Sequence, residues 1–321
     1  MKPFYVKDLV ADDGMLIEDH YLVKVADIRD GNQGKRHLYM TLADATGEIQ
    51  AVKWNLTTDE VSRFSRIKAG MVIGVLGRCK DFRGNNQLIL EAITGRLKPE
   101  MMDREDFFKS APESSESMWD YVIGKINGFH DADLKKLCLA FYEENKDRIM
   151  YYPAAKSNHH AEYGGYLYHV KRMMMMGEAA CEVYTNLNTD LLLAGVALHD
   201  IEKLNELESD ENGVVPDYSI EGKMLGHLVM GVAAIKAKCE ELGVSEEKSL
   251  LLQHMAISHH YEPEFGSPRK PLFPEAEMLH YLDMVDAKMF DMEDALSNVK
   301  PGEFSDKVFT LDNRKLYQKT F

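Results

Sequence analysis

Histidine and aspartate recur through the C-terminal two thirds of this sequence at positions where helical spacing turns them towards apolar neighbours. His169 shares a stripe with Tyr166, Met173 and Met176. His199 follows Leu192 and Val196, with Asp200 beside it against Leu193 and Leu204. His227 aligns with Met224, Gly231 and Ala234, and His259, followed by His260, aligns with Leu252 and Met255. Asp286 aligns with Leu279, Leu282 and Met289 on a helix that Pro274 starts. One such histidine is an ordinary core residue. An aspartate facing an apolar interior, by contrast, costs several kcal/mol unless a cation or strong hydrogen bonds compensate it. Two aspartates and several histidines turned the same way are explained together by divalent metal.

Imidazole and carboxylate without thiolate suit Mn²⁺, Fe, Co²⁺ or Zn²⁺ in a hydrolytic site. Adjacent His199 and Asp200 can serve two ions, with the carboxylate bridging them. Two ions about 3.5–4 Å apart activate water at neutral pH and offset charge on an attacked phosphorus. Lys203, three residues after Asp200, falls on the same side of a helix and could steady a phosphate oxygen or a developing charge. Its plainer alternative is a surface pair with Glu202 or Glu206.

These residues need elements to hold them. A chain of 321 residues with 45% hydrophobic content can bury a sizeable core and favours two domains. Residues 1–97 make the first domain, in which residues 15–95 read as five short strands, Tyr21–Ile28, His37–Asp44, Ile49–Trp54, Met71–Lys80 and Gln87–Ile93, with turn signals at Gly31-Asn32, Thr46-Gly47 and Arg83-Gly84-Asn85. A helical pattern from Asp59 to Lys68 precedes the fourth strand, which is the element order of an OB-fold barrel. Alternation places Leu38, Met40 and Leu42 on one face and His37, Tyr39 and Thr41 on the other. Tyr39, Trp54, Phe82, Arg78, Lys80 and Arg83 then form a candidate stacking platform for single-stranded nucleic acid, the alternative being barrel rim and solvated charge. Residues 98–117 read as a connector and 118–321 as an all-α bundle, entered by helices at Met118–Phe129 and Leu134–Ile149.

The ordered set His169, His199-Asp200 with Lys203, His227, His259-His260 and Asp286 resembles the HD superfamily of metal-dependent phosphohydrolases. The stretches from His159 to Gly165, Ser258 to Pro268 and Leu282 to Lys288 are similar to the YhaM-type 3′-to-5′ exoribonucleases, which join an N-terminal OB-fold to an HD domain. The resemblance implies one metal site of His169, His199, Asp200 and Asp286, with Asp283 as the rival for the last place. It implies a second site of His227 and His259 bridged by Asp200, with His260 as a further ligand or substrate contact. Two ions are expected, Mn²⁺ foremost. Relatives with a third metal carry a glutamate where this chain has Gly165, so no third ion is expected. His159 and His160 are expected to cap the next helix and face solvent, or else to line the substrate entry. Arg269 and Lys270 are candidate phosphate contacts.

The net charge of −15 opposes nucleic-acid binding in general, but the acidity lies beyond residue 98, while the barrel stretch is slightly basic. The expected partner is single-stranded RNA or DNA, cleaved from its 3′ end; self-association into a homo-oligomer stays open. Rival readings are a phosphohydrolase of free nucleotides or cyclic dinucleotides, and a non-catalytic nucleic-acid adaptor. The four cysteines, Cys79, Cys138, Cys181 and Cys239, lack CxxC spacing, which suggests neither a disulfide framework nor a thiolate zinc site and fits a reducing cytoplasm. No secretory leader or membrane span is expected.

Overall fold

The computed structural model describes residues 2–11, 15–31, 34–98, 101–156, 159–297 and 299–321. Of the expected turn at Gly31-Asn32, Asn32 lies outside the described residues. The chain divides into two compact units, Met1–Ser110 and Ala111–Phe321.

The first unit is a closed barrel of β1 (Ile17–Asp30), β2 (Arg36–Asp44), β3 (Gly47–Lys53), β4 (Val72–Phe82) and β5 (Asn85–Arg96), with α1 (Thr58–Phe64) between β3 and β4. Strand order β1-β2-β3-β5-β4, closed by the parallel pairing of β3 with β5, is that of an OB-fold. Leu38, Met40 and Leu42 are fully buried beside Tyr21, Val23, Val75 and Leu88, so the two-residue alternation of β2 defines the core face. β1 begins earlier than expected because Ile17, Asp19 and Tyr21 already alternate inwards. Thr57 and Glu60 form a capping box at the start of α1. This helix stops at Phe64, short of Lys68, because Phe64 is the last residue it buries.

After α2 (Arg104–Phe107), the second unit opens with α3 (Ser115–Asn127), capped by Ser114, and α4 (Ala132–Glu144), capped by Asp131. The expected single helix through Ile149 is interrupted at Asn145, beyond which α5 (Lys146–Ile149) adds one turn. There follow α6 (Gly165–Val183), α7 (Thr189–Leu198), α8 (Lys203–Glu206), a two-stranded ribbon of β6 (Leu207–Glu208) and β7 (Asp217–Tyr218), α9 (Ile220–Leu242), α10 (Glu246–Ser258) and α11 (Pro274–Leu296). Every residue from Leu191 to Leu198 is buried, so α7 is apolar all round and packs centrally against α4, α6, α10 and α11.

Among the described residues no helix is long and apolar enough to cross a membrane. All four cysteines are free; Cys79, Cys138 and Cys239 are buried and Cys181 is half-buried.

Candidate active site

A helix that is buried on every side delivers its last residues into the interior. α7 ends at Leu198, His199 caps it, and Asp200 follows in the turn before α8, both almost fully buried. The last carbonyls of a helix lack intrahelical donors, and the His199 Nδ1–H supplies one to the Val196 carbonyl at 2.8 Å. His259 repeats the device at the end of α10, donating Nδ1–H to the Ala256 carbonyl at 2.9 Å. The His169 Nδ1–H, from the second turn of α6, donates to Asp286 Oδ2 at 2.8 Å.

His227 is placed by a break. At Gly226 the backbone turns to φ +71°, ψ 156°, which interrupts α9 and exposes the His227 N–H. Glu206 receives that N–H on Oε1 at 3.1 Å and the His227 Nδ1–H on Oε2 at 2.9 Å.

All four rings thus spend Nδ1 on an acceptor and aim Nε2 at one space. The Nε2 atoms of His169, His199, His227 and His259 and Oδ1 of Asp200 are buried without a hydrogen-bond partner among the described residues. Asp200 Oδ2 lies 3.2 Å from His199 Nε2, while Oδ1 lies 3.3 Å from His227 Nε2 and 3.6 Å from His259 Nε2. Asp283 Oδ1 faces His169 Nε2 at 3.4 Å. Atoms held about 2.1 Å from one cation sit roughly 3–3.5 Å from each other, so the donor set fits metal, and each orphaned atom gains a partner by binding it. Four groupings have the required closeness: His169, His199 and Asp200; His199, His259 and Asp283; and Asp200, His227, His259 and His260 share this space, while His160, His169 and Asp286 gather on the Nδ1 side of the His169 ring.

The matching of known families to this chain agrees with that geometry. Residues 23–94 match the model of an OB-fold nucleic acid binding domain, and residues 166–288 match the HD domain. The proteins named 3′-5′ exoribonuclease YhaM from Bacillus subtilis and Halalkalibacterium halodurans are 36% and 35% identical to it. Each alignment covers 96% of this chain, and 96% and 94% of the relative respectively. The protein of that name from Oceanobacillus iheyensis is 37% identical over 94% of this chain and 93% of its own. The chain belongs to the YhaM family.

The HD match of this YhaM-family chain spans every ligand atom described above. Electrostatics hold Asp200 and His259 in ligand form and act the other way on His169. Burial opposes ionisation of Asp200, but the Lys203 ammonium, 2.6 Å from Oδ2, and His199 hold its carboxyl well below the usual range. Burial equally disfavours the Lys203 cation, and Asp200 overrides it, raising the ammonium. Burial pushes His259 well below the ordinary imidazole value, towards the neutral ring that binds metal. In His169 burial is outweighed by Asp283 and Asp286, which raise it to about 9 without metal.

Several residues stand differently from expectation. Asp286 lies behind the His169 ring, bonded to Nδ1, with Arg172 Nε on its other oxygen at 2.6 Å. Asp283, one turn earlier, reaches the cavity instead. His160 neither caps α6, whose N-cap is Gly164, nor faces solvent; it is fully buried and donates Nε2–H to Asp286 Oδ2 at 2.7 Å. His159 is half-buried and lines the cavity, whose volume is about 340 Å³, together with Lys156, Lys203, Tyr218, His227, His260 and Asp283. Lys203 is a buried partner of Asp200, not a surface pair with Glu202 or Glu206. His260 also faces the cavity, its Nδ1–H held by the Phe265 carbonyl at 2.8 Å. Arg269 and Lys270 are exposed and outside the cavity lining; Lys270 pairs with Glu262 at 3.6 Å and covers the Tyr261 ring. Met224 and Met289, read as members of buried stripes, are 77% and 52% exposed. Sequence spacing missed Glu206 and Arg172 altogether: each acts across a long loop or between helices, where periodicity carries no signal.

On the barrel, Trp54 is 44% exposed and meets the rings of His37 and Tyr39 edge-on at 4.8 and 5.9 Å, with Arg29 over Tyr39. Phe82, 54% exposed, and Arg83 stack on each other at the β4–β5 turn, beside a groove lined by Gln50, Asn85 and Gln87. Arg78, further along β4, pairs with Glu91 at 3.0 Å, and Lys80 is exposed. The expected platform is thus two aromatic patches, one at the end of β3 and one at the hairpin.

Proposed function

We propose that this chain is a metal-dependent 3′-to-5′ exonuclease hydrolysing the phosphodiester bonds of single-stranded RNA. The observation that carries the reading is the convergence of unpartnered, buried Nε2 and carboxylate atoms on one cavity inside the HD domain. His169, His199, Asp200 and Asp283 would hold one divalent ion, and His227, His259 and His260 a second, with Asp200 shared between them. A pair of divalent cations supplies Lewis acidity towards the phosphodiester and acidifies water near neutral pH.

The chain's own groups do the rest. Lys203 keeps Asp200 ionised through the 2.6 Å pair and presents a fixed ammonium to the cavity, where charge develops on a transferred phosphoryl group. Lys156 and His159 line the same cavity and can meet the phosphate of an entering strand. A space of about 340 Å³ suits a terminal nucleotide better than a duplex, which favours removal of residues from an end. The family's name supplies the direction and the RNA preference. Capture of the strand falls to the barrel, where Trp54 with Tyr39, and Phe82 with Arg83, offer stacking and positive charge. We assign Mn²⁺ as the working ion because the donors are nitrogen and oxygen only, and the cytoplasm as the compartment because all four cysteines are free.

The test is a digestion time course on 5′-labelled RNA and DNA with Mn²⁺, Co²⁺, Mg²⁺ or chelator. Products should shorten by single nucleotides from the 3′ end, and chelator or Asp200→Ala should abolish them. Binding without cleavage under every metal would favour an adaptor, and hydrolysis confined to free nucleotides a nucleotide phosphohydrolase.

A further inference from the structure

Asp286 is 1% exposed and yet receives two donors on Oδ2, His169 Nδ1–H and His160 Nε2–H, while Arg172 Nε forms an ion pair with Oδ1 at 2.6 Å. The two hydrogen bonds, at 2.7 and 2.8 Å, have the lengths of charge-assisted bonds. The carboxylate therefore sits on the side of the His169 ring opposite Nε2, while Asp283 Oδ1 sits on the Nε2 side.

His160 is itself built into place. Its ring lies 4.1 Å from that of Phe290. Its backbone adopts φ +54°, a region that non-glycine residues enter at a cost of about 1 kcal/mol or more. The start of α6 presses on it so closely that a Cβ at Gly165 would lie 2.1 Å from the His160 carbonyl oxygen. This accounts for the His160 to Gly165 stretch, which the metal ligands leave unexplained.

We propose that Asp286 is a positioning residue and not a metal ligand: held by His160 and Arg172, it fixes the His169 ring with Nε2 towards the cavity, and Asp283 supplies the carboxylate there. The proposal rests on the metal-site reading above. Glu206 does the same for His227, so the two carboxylates behind the histidines share one logic, in which an outer acceptor sets the tautomer and aim of the ring.

The experiment is calorimetric titration of the full chain with Mn²⁺ alone, following ion number and affinity in wild type, Asp286→Asn, Asp283→Asn and Arg172→Lys, with thermal melts of the metal-free proteins as a folding control. Asp286→Asn should bind as many ions as wild type, one of them about 10–100-fold more weakly, and RNA cleavage should recover as Mn²⁺ is raised. Asp283→Asn should lose one ion outright. Arg172→Lys keeps a cation opposite Oδ1 and should stay close to wild type. Should Asp286→Asn fail to fold, His160→Gln carries the same expectation of weaker binding at unchanged ion number. Loss of an ion from Asp286→Asn with a full complement in Asp283→Asn would overturn the proposal. Wild-type protein that bound no Mn²⁺ would instead overturn the metal-site reading on which it stands.

Discussion

Lys203 and Asp200 form a buried pair 2.6 Å apart, and the lysine is the only cation directly bonded to that carboxylate among the described residues. In Lys203→Met the ligands remain but the fixed positive charge goes. The rate at saturating Mn²⁺ should fall about 10²–10³-fold with RNA affinity little changed, as read by single-turnover cleavage. His169 gives a different handle. Its folded value of about 9 lies above the ordinary 6.5, so it contributes stability that is fully present below pH 6.5 and lost as pH rises through 9. In chelator, the melting temperature should therefore fall across that window. With Mn²⁺, which requires Nε2 unprotonated, melting temperature should rise there instead. A flat profile in chelator would show that the ring carries no extra proton in the metal-free protein. At this scale the histidines were legible because each sits among apolar neighbours at helical spacing. Asp283 was ranked behind Asp286 because an apolar stripe selects the more buried carboxylate, and here the more buried one lies behind the histidine.

The elements explain why some stripes misled. A glycine within an apolar helical pattern reads as continuous helix, so Met224 and His227 seemed to share a face. Gly226, at φ +71° and ψ 156°, rotates the chain between them and leaves Met224 outside. That backbone region is essentially confined to glycine, and Gly226→Ala should cost about 1–3 kcal/mol, measured by denaturant unfolding. The same variant should weaken binding of the ion proposed at His227 and His259 while leaving the other proposed ion in place, because the Glu206 contacts depend on the break. An unchanged second ion would mean that the break is dispensable. The central position of α7 was easier to anticipate, since a run apolar on all sides has to be buried all round. Asn145, by contrast, gave no warning that it would divide α4 from α5.

For the whole molecule, element order suggests the OB-fold, because five strands with one helix before the fourth leave few ways to close a barrel, whereas the HD unit is legible only through its histidines and aspartates. Which barrel side chains act together was not legible, since exposure depends on where strands end and turns begin. Trp54→Ala should reduce single-stranded RNA binding in chelator by about 1–3 kcal/mol, by fluorescence anisotropy, while hydrolysis of a small chromogenic phosphodiester stays at the wild-type rate. Equal loss of both would place the tryptophan in folding and not in strand capture. The donors proposed for the metal site are all nitrogen and oxygen, and three of the four thiols are sealed in the packing of the two units. Peroxide or an alkylating maleimide therefore finds no sulfur to modify among the donors. A reagent that carbethoxylates imidazole should silence the enzyme unless the ions are loaded first.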